Sequence, residues 1–235
     1  MRVALIGQPN CGKSTLFNQV AGYKAETGNF TGTTVTFTES SVRVGGEVLN
    51  VVDLPGTYTL AGTNLAEREA SRYLLSEDVD VIINVLDASH ISQGLELTLE
   101  LLALGVPVIV AMNMIDEASR IGLKVNGPAL EEKLGAPVMP LIASRGQGVR
   151  NLFLTALRLA KLGDKADMGG YFRPEENERA DRHKTARALE KEFVIRGERR
   201  LNWRDRVDDF LLHPVWGYVG LILILYTFFQ IVYTV

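Results

Sequence analysis

The stretch that most constrains the fold lies at the amino terminus, where an apolar segment runs directly into a glycine-rich loop. Val3–Ile6 predicts a buried strand, and Gly7–Ser14 follows the pattern G-x-x-x-x-G-K-[ST]. Thr15–Asn18 then begins a predicted helix. Glycines let the backbone approach an anion, and the amides at a helix start point toward it. This order of elements predicts a phosphate-binding loop in an α/β fold.

Apolar runs alternate with helical patterns along most of the chain, which predicts a doubly wound α/β sheet. The later runs are continuous rather than alternating, as in parallel strands covered on both faces. These runs are residues 51–53, 81–87, 106–112 and 137–142. Val42 and Val44 precede Gly45-Gly46, which is typical of a hairpin turn and predicts one antiparallel edge strand. We therefore expect a mostly parallel sheet of six strands.

The composition changes after residue 162, and this change suggests three regions. Residues 1–163 form the predicted α/β domain, and the charged stretch 164–213 predicts a small helical domain. Residues 214–235 contain no charged residue across 22 positions, and 22 helical residues extend about 33 Å at roughly 1.5 Å each. This predicts the start of a transmembrane region, and the alternative is a buried helix of a larger core.

Charge and cysteine content limit the classes of partner. The net charge of -3 and the pI near 5.7 argue against nucleic-acid binding driven by phosphate neutralisation. The single cysteine, Cys11, excludes an internal disulfide and fits a reducing compartment. A group of arginines before the apolar run places the amino-terminal domain on the cytoplasmic side: Arg196, Arg199, Arg200, Arg204 and Arg206.

Two sequence positions suggest how a phosphate group would be held. Lys13 is expected beside the β and γ phosphates, and the Ser14 hydroxyl is expected to ligate magnesium. Asp53-Leu-Pro-Gly56 ends another predicted strand, where the carboxylate can hold magnesium through water and the Gly56 amide can meet the γ-phosphate. Taken alone, either stretch could be an ordinary turn.

A third motif suggests recognition of the base. Asn113-Met-Ile-Asp116 follows a predicted strand, at the edge where ligands of open α/β sheets bind. A carboxylate at Asp116 can accept hydrogen bonds from the N1–H and 2-amino groups of guanine, which adenine lacks. By itself N-x-x-D is a weak pattern, but its order relative to the phosphate motifs fits one nucleotide site.

These stretches together resemble a known family. GQPNCGKSTLFN, GNFTGTTV, DLPGTYTL, NMID and HPVWG resemble translation-factor-related GTPases, and more narrowly the amino-terminal G domain of FeoB-type ferrous iron transporters. The resemblance implies a Ras-like P-loop GTPase fold and a GTPase with slow, magnesium-dependent hydrolysis. It also implies that GTP regulates or drives ferrous iron uptake across the bacterial inner membrane, with the G domain in the cytoplasm.

The resemblance also implies roles for individual residues. The expected catalytic residues are Asn10, Lys13, Thr34 and Gly56. The expected magnesium ligands are Ser14, Thr34 and Asp53, and Asn10 is expected to bind potassium. Thr33 is an alternative to Thr34 as the switch threonine. The expected nucleotide-binding residues are Gly7, Asn10, Cys11, Gly12, Lys13, Ser14, Thr15, Asn113, Met114, Asp116, Ala143 and Ser144.

At two places this chain differs from residues that related GTPases carry. Thr57 stands where Ras-like proteins carry the glutamine that orients attacking water, which predicts slow intrinsic turnover. The family's usual Thr-Ser-Ala loop reads Leu141-Ile142-Ala143 here, followed by Ser144. The Ala143 amide is expected to meet guanine O6, and the lost serine hydroxyl is expected to weaken binding or speed release. For Asn10, the alternative to a potassium ligand is a loop-stabilising side chain.

The expected partners follow from the same resemblance. They are a guanine nucleotide, the membrane, the remaining transmembrane domain of the same protein, small accessory iron-transport proteins and a second copy of the chain. The chain is expected to be a fragment that ends after its first span. Switch stretches Gly28–Thr36 and Leu54–Thr63 are expected to relay the nucleotide state to helices at about 175–212. The alternatives are an Era-like GTPase of ribosome assembly or tRNA modification, and a module that only binds nucleotide.

Overall fold

The computed structural model describes residues 1–21, 25–30, 35–76, 78–162, 179–197, 212–213 and 216–234. The chain divides into two compact units, Met1–Gly197 and Glu198–Val235. The predicted switch residues Thr33 and Thr34 lie outside the described residues. The predicted regions 1–163, 164–213 and 214–235 stay predictions.

In the first unit, seven strands of the described residues form one sheet, in the order β2-β3-β4-β1-β5-β6-β8. The strands are β1 (Arg2–Gly7), β2 (Glu26–Asn29), β3 (Thr36–Val44), β4 (Glu47–Asp53), β5 (Val81–Asp87), β6 (Val108–Asn113) and β8 (Val138–Pro140). Strand β1 pairs in parallel with β4 and β5, and β6 pairs in parallel with β5 and β8. Strand β3 is antiparallel to both β2 and β4. The predicted parallel sheet with antiparallel pairing at one edge is confirmed.

The sheet has one strand more than the six predicted. The additional strand, β2, pairs outside β3, with Gly28 opposite Phe37 and Asn29 opposite Thr36. Its sequence, ETGN, contains no apolar residue, and its side chains are exposed or half-buried. Because β2 is held by backbone hydrogen bonds rather than by a buried face, it leaves no hydrophobic pattern in the sequence.

Helices cover both faces of the sheet. Their bounds are α1 (Lys13–Ala21), α2 (Leu65–Ser76), α3 (Ile91–Leu102), α4 (Ile115–Arg120), α5 (Gly127–Leu134), α6 (Val149–Leu162) and α7 (Arg179–Phe193). Alternate residues of β1 enter different cores: Val3 and Leu5 pack with α1 and α6, whereas Ala4 and Ile6 pack with α2, α3, α5 and α7. Burial on both faces explains why this strand is a continuous apolar run.

Helix α7 packs on the α/β core within the first unit. Ala186, Leu189 and Phe193 lie three and four residues apart, and all three are buried in the core that contains α3. Strand β9 (Val194–Arg196) then pairs antiparallel with β7 (Leu123–Val125). The first part of the predicted helical region therefore extends the α/β unit.

The second unit contains helix α8 (Trp216–Thr234). Large apolar side chains are exposed along it, among them Leu221, Ile222 and Phe228. When length and hydropathy are considered together, no helix in the described part of the chain meets the requirements for crossing a membrane.

Candidate nucleotide-binding site

The loops that carry the predicted motifs meet at the carboxyl edge of the parallel strands. A cavity of about 510 Å³ opens there beside the start of α1. Open α/β sheets bind ligands at this edge. The residues that line the cavity are Gln8, Pro9, Asn10, Gly12, Lys13, Ser14, Thr15, Gly56 and Met114. Seven of these nine were predicted to take part in the site, and Gln8 and Pro9 were not.

Two glycines of the phosphate loop are required by close backbone contacts. A Cβ atom on Gly7 would lie 2.2 Å from the carbonyl oxygen of Val85 on the neighbouring strand. Gly12 has a φ of +84°, and a Cβ there would lie 2.3 Å from Nδ2 of Asn113. Substitution at either position would force the loop away from β5 or β6.

Asn10 also lies in the phosphate loop, and its backbone has a φ of 66°. Asparagine is among the non-glycine residues that adopt this left-handed conformation most readily. Asn10 also lines the cavity. The loop geometry thus accounts for an asparagine at this position, and the potassium-binding role stays a prediction.

Lys13 and Asp53 form a buried ion pair across the cavity wall. The Lys13 ammonium contacts Asp53 Oδ1, and the two side chains are only 9% and 11% exposed. The Ser14 hydroxyl lies 3.4 Å from Asp53 Oδ2. A carboxylate and a hydroxyl at this separation are oxygen ligands of the kind that Mg²⁺ prefers. The two predicted magnesium ligands that the structure describes, Ser14 and Asp53, are therefore brought together.

The segment after Asp53 is held against the phosphate loop. The Leu54 N–H donates to Leu5 O and the Thr57 N–H donates to Gly7 O, both at 3.0 Å. These bonds place Gly56 at the cavity, where an added Cβ would lie 3.2 Å from the Pro9 nitrogen. Thr57 is 2% exposed, so its side chain points into the protein. The residues that line the cavity do not include Thr57, so its side chain is not placed to contact a water molecule there.

Asn113 joins the phosphate loop to the loop after β8. Its Nδ2 donates to Cys11 O, and its Oδ1 accepts from the Ala143 N–H, both at 2.9 Å. The residue is 3% exposed. Satisfying both ends of a buried amide holds two loops in a fixed relation. Asn113 was predicted to bind the nucleotide. In the structure its side-chain amide bonds to two loops of the protein, and nucleotide binding stays a prediction.

The same hydrogen bond alters the expectation for Ala143. Its amide was expected to donate to guanine O6, but that N–H is already donated to Asn113 Oδ1. A backbone N–H has one hydrogen to donate, so the next amide in the 3₁₀ turn Ala143–Arg145 becomes the candidate. That amide belongs to Ser144, which was also predicted as part of the site.

Asp116 lies in the first turn of α4, two residues after the left-handed residue Met114. Its side chain is 30% exposed, and its Oδ2 lies 3.4 Å from Nη2 of Arg145. The sequence analysis did not identify Arg145. A basic residue directly after Ala143-Ser144 was the available signal, but the sequence does not show which way its side chain points.

Cys11 belongs to the phosphate loop, but its side chain is buried in the core and does not line the cavity. The thiol is 1% exposed, and burial is the main cause that raises its pKa from 9.0 to about 11. The nearby Lys13 lowers the pKa but does not offset the burial. Cys11 is therefore a neutral packing residue at physiological pH and not a nucleophile.

The chain is similar to known proteins of one family. The sequence profile described as Ferrous iron transport protein B matches residues 1–156. The chain is 42% identical over 182 residues to the Fe(2+) transporter FeoB of Escherichia coli (strain K12). It is also 42% identical over 178 residues to FeoB of Salmonella typhimurium (strain LT2). These alignments cover 76% and 74% of this chain, but the chain spans only 23% of the length of each relative.

Solved structures with the same fold include several FeoB domains. The cytosolic domain of L. pneumophila FeoB matches with a TM-score of 0.72 at 27% identity, over 83% of this chain and all of that one. The T. maritima cytosolic domain in GMPPNP form matches with 0.71 at 28%, over 83% and 99%. A mutant of S. thermophilus NFeoB bound to GDP matches with 0.68 at 34% identity, over 77% and 67%.

Proposed function

Since the chain belongs to the ferrous iron transport protein B family, as its amino-terminal GTPase domain, we propose that it binds GTP, hydrolyses it slowly and thereby regulates or drives ferrous iron uptake. One observation carries the proposal. The phosphate loop, Asp53 and the Asn113–Asp116 motif, which are far apart in sequence, converge on one edge of the sheet. Relatives of known structure are described with GDP or GMPPNP, which supports a guanine nucleotide as the ligand.

Magnesium is proposed as the metal of the phosphate end. Ser14 and Asp53 would hold it together with Thr34, and the oxygen donors of the first two fit this ion. When bound, magnesium supplies positive charge to the phosphate oxygens. Lys13 supplies a second positive charge, because its ammonium lies at the same carboxylate and lines the cavity. Displacement of Lys13 from Asp53 toward a bound phosphate would place both charges around the transferred group.

Slow hydrolysis is proposed from the position of Thr57. In this mechanism, the side chain after Gly56 does not position water, since it is buried away from the cavity. The acceleration then comes from charge compensation by Lys13 and from backbone amides of the loop. Potassium at Asn10 is proposed to add a further positive charge, supported by the place of Asn10 at the cavity.

A path from the nucleotide to helix α7 is proposed through Glu100 on α3. Its carboxylate accepts from the Leu60 N–H, in the segment that follows Gly56, and Arg182 Nη1 on α7 lies 3.3 Å away. The Glu100 side chain is only 7% exposed, so this contact is shielded from solvent. A second pair, His183 Nδ1 to Glu96 Oε2 at 3.1 Å, joins the same two helices. Movement of the segment after Gly56 would therefore change the contacts that hold α7.

A membrane location is proposed for the longer protein. Residues 214–235 carry no charge, and α8 exposes apolar side chains along its length. These features support a role for this stretch at the start of the transmembrane region, with the G domain in the cytoplasm of a bacterium. The remaining transmembrane domain, accessory iron-transport proteins and self-association are proposed as partners from membership of the family.

The decisive experiment is a titration of the full chain with GDP, XDP and ADP, using wild type and Asp116→Asn. Wild type is expected to bind GDP at least about 100-fold more tightly than ADP, because adenine leaves the carboxylate unpaired. Asp116→Asn is expected to prefer XDP, since xanthine carries a carbonyl where guanine carries the amino group that Asp116 accepts from. Hydrolysis of GTP over several turnovers, followed as phosphate release, separates a GTPase from a binding module.

Glu117→Gln is the matched control, because it removes the neighbouring carboxylate of α4, which pairs with Arg120 at 2.9 Å. It is expected to leave base preference unchanged. Equal affinity of wild type for GDP and ADP, or an Asp116→Asn variant with unaltered preference, would contradict the proposal.

A further inference from the structure

We propose that Arg145 is a specificity-determining residue of this site, which orients the Asp116 carboxylate for guanine. The inference rests on the proposed function, because it requires Asp116 to read the base. Its starting observation is the 3.4 Å separation between Arg145 Nη2 and Asp116 Oδ2. The pair joins the two loops that would bracket the base.

The backbone of Arg145 is held by a tight turn. The Arg145 N–H donates to Ile142 O at 3.0 Å, and the Gly146 N–H donates to Ala143 O at 3.1 Å. Gly146 has a φ of +66°, which lets the chain reverse directly after Arg145. The guanidinium therefore extends from a defined point and is not carried by an open loop.

The same buried residue anchors both partners. Asn113 accepts from the Ala143 N–H, two residues before Arg145, and lies three residues before Asp116 in its own loop. Because only these short segments separate the two charged residues from Asn113, the two residues can move little relative to each other. Arg145 and Asp116 can thus remain neighbours when a nucleotide enters.

The carboxylate needs an orienting donor because guanine requires both of its oxygens in the plane of the base. The loop residues Leu141, Ile142 and Ala143 carry no side chain that can donate a hydrogen bond. Ser144 carries a hydroxyl, but among the described contacts the group beside the Asp116 carboxylate is the Arg145 guanidinium. A guanidinium can approach one oxygen from the side and leave lone pairs on both oxygens for the N1–H and 2-amino groups. Arg145, two residues after Ala143, supplies this contact.

The expected effect is moderate, because the Arg145 and Asp116 side chains are 68% and 30% exposed. Exposed ion pairs contribute little, so Arg145→Ala is expected to weaken GDP binding about two- to fivefold. Adenine makes neither hydrogen bond to Asp116, so ADP affinity is expected to be unchanged. The ratio of GDP to ADP affinity therefore falls by the same factor.

The test measures Kd for GDP and ADP with wild type, Arg145→Ala, Arg145→Lys and Arg150→Ala. Arg150→Ala is the matched control, because it removes an exposed arginine of α6 close in sequence. Arg145→Lys keeps the charge and is expected to recover part of the loss. The loss for Arg145→Ala is expected to shrink between about 50 mM and about 500 mM salt, since screening weakens an exposed pair. Thermal melting of each variant checks that all remain folded.

A second arm repeats Arg145→Ala in the Asp116→Asn background with XDP as ligand. An asparagine carries no charge, so Arg145 interacts with it more weakly, and a smaller loss is expected there. GDP binding by Arg145→Ala that equals or exceeds wild type would overturn the inference, as would an equal loss in both backgrounds. Failure of Asp116→Asn to gain XDP would instead count against the proposed function, and the salt-dependent GDP arm would still decide the role of Arg145.

Discussion

The phosphate end and the base end of the site hold their charged side chains in different surroundings. Lys13 and Asp53 at the phosphate end are 9% and 11% exposed, whereas Asp116 and Arg145 at the base end are 30% and 68% exposed. At the phosphate end, strands β1 and β4 carry the loops, and two glycines allow their close approach to neighbours. At the base end, a short turn and the first turn of α4 carry the residues.

The two ends are therefore expected to contribute differently to affinity and to selectivity. Removing one member of a buried pair leaves an uncompensated charge, which is costly, whereas exposed pairs contribute little. The phosphate end is therefore expected to determine whether any nucleotide binds. The base end is expected to determine which nucleotide binds, and Asn113 connects the two by hydrogen bonds to both loops.

The strongest effect is expected for substitution of Lys13 at the phosphate end. Lys13→Ala should lower GTP hydrolysis at least about 100-fold, because it removes the positive charge nearest the phosphates. It should weaken GDP and XDP equally, since the lysine does not contact the base. Phosphate release and nucleotide titration measure the two effects. Lys161→Ala is the control, because it removes an exposed lysine paired with Glu47 at 2.9 Å. A selective loss of one base would contradict the division proposed above.

A weaker effect is expected when the monovalent cation at the phosphate end is exchanged. Exchange of potassium for sodium should lower the hydrolysis rate several-fold, while GDP affinity stays nearly constant, because the proposed ion compensates charge that develops during transfer. Asn10→Ala should give the same low rate in either salt. Steady-state phosphate release in both salts measures this. An unchanged wild-type rate would remove Asn10 from the mechanism.

The weakest effect is expected for Cys11, whose side chain is buried under the backbone of the phosphate loop. Its pKa is raised from 9.0 to about 11 in the folded protein, so the stability it contributes is fully present below pH 9 and is lost as the pH rises toward 11. At a pH of about 10, wild type should have lost about 1 kcal/mol more than Cys11→Ala, relative to neutral pH. Urea unfolding of both proteins across this range measures the difference. A gap that does not change with pH would show that the thiol is not shielded.

Much of the fold could be predicted because its signals are local. Val81–Asp87 and Val108–Asn113 are apolar runs long enough to identify buried strands without knowledge of their neighbours. Strand β2 was missed, because a strand held only through its backbone needs no particular side chains. The loop Gly7–Ser14 was predicted as a whole, since its motif combines backbone and side-chain requirements in one short stretch.

The sequence could not assign directions to side chains in turns. Thr57 was identified as a replacement for glutamine, but only the structure shows that its side chain is buried and does not line the cavity. The Ala143 N–H was predicted to donate to guanine O6, but in the structure it donates to Asn113 Oδ1. Contacts of this kind depend on which loop lies beside which, and neighbouring residues in a turn differ little in sequence signal.

Local sequence patterns were enough to predict the phosphate loop, the apolar strands of the sheet and the carboxylates Asp53 and Asp116, because each depends on residues close together in the chain. The tertiary structure decided how these parts are joined. Asn113 reaches Cys11 across 102 positions, Glu100 reaches Leu60 across 40, and Arg145 reaches Asp116 between loops that follow different strands. Such contacts form only after the sheet has brought its carboxyl edge together, so no local pattern can encode them.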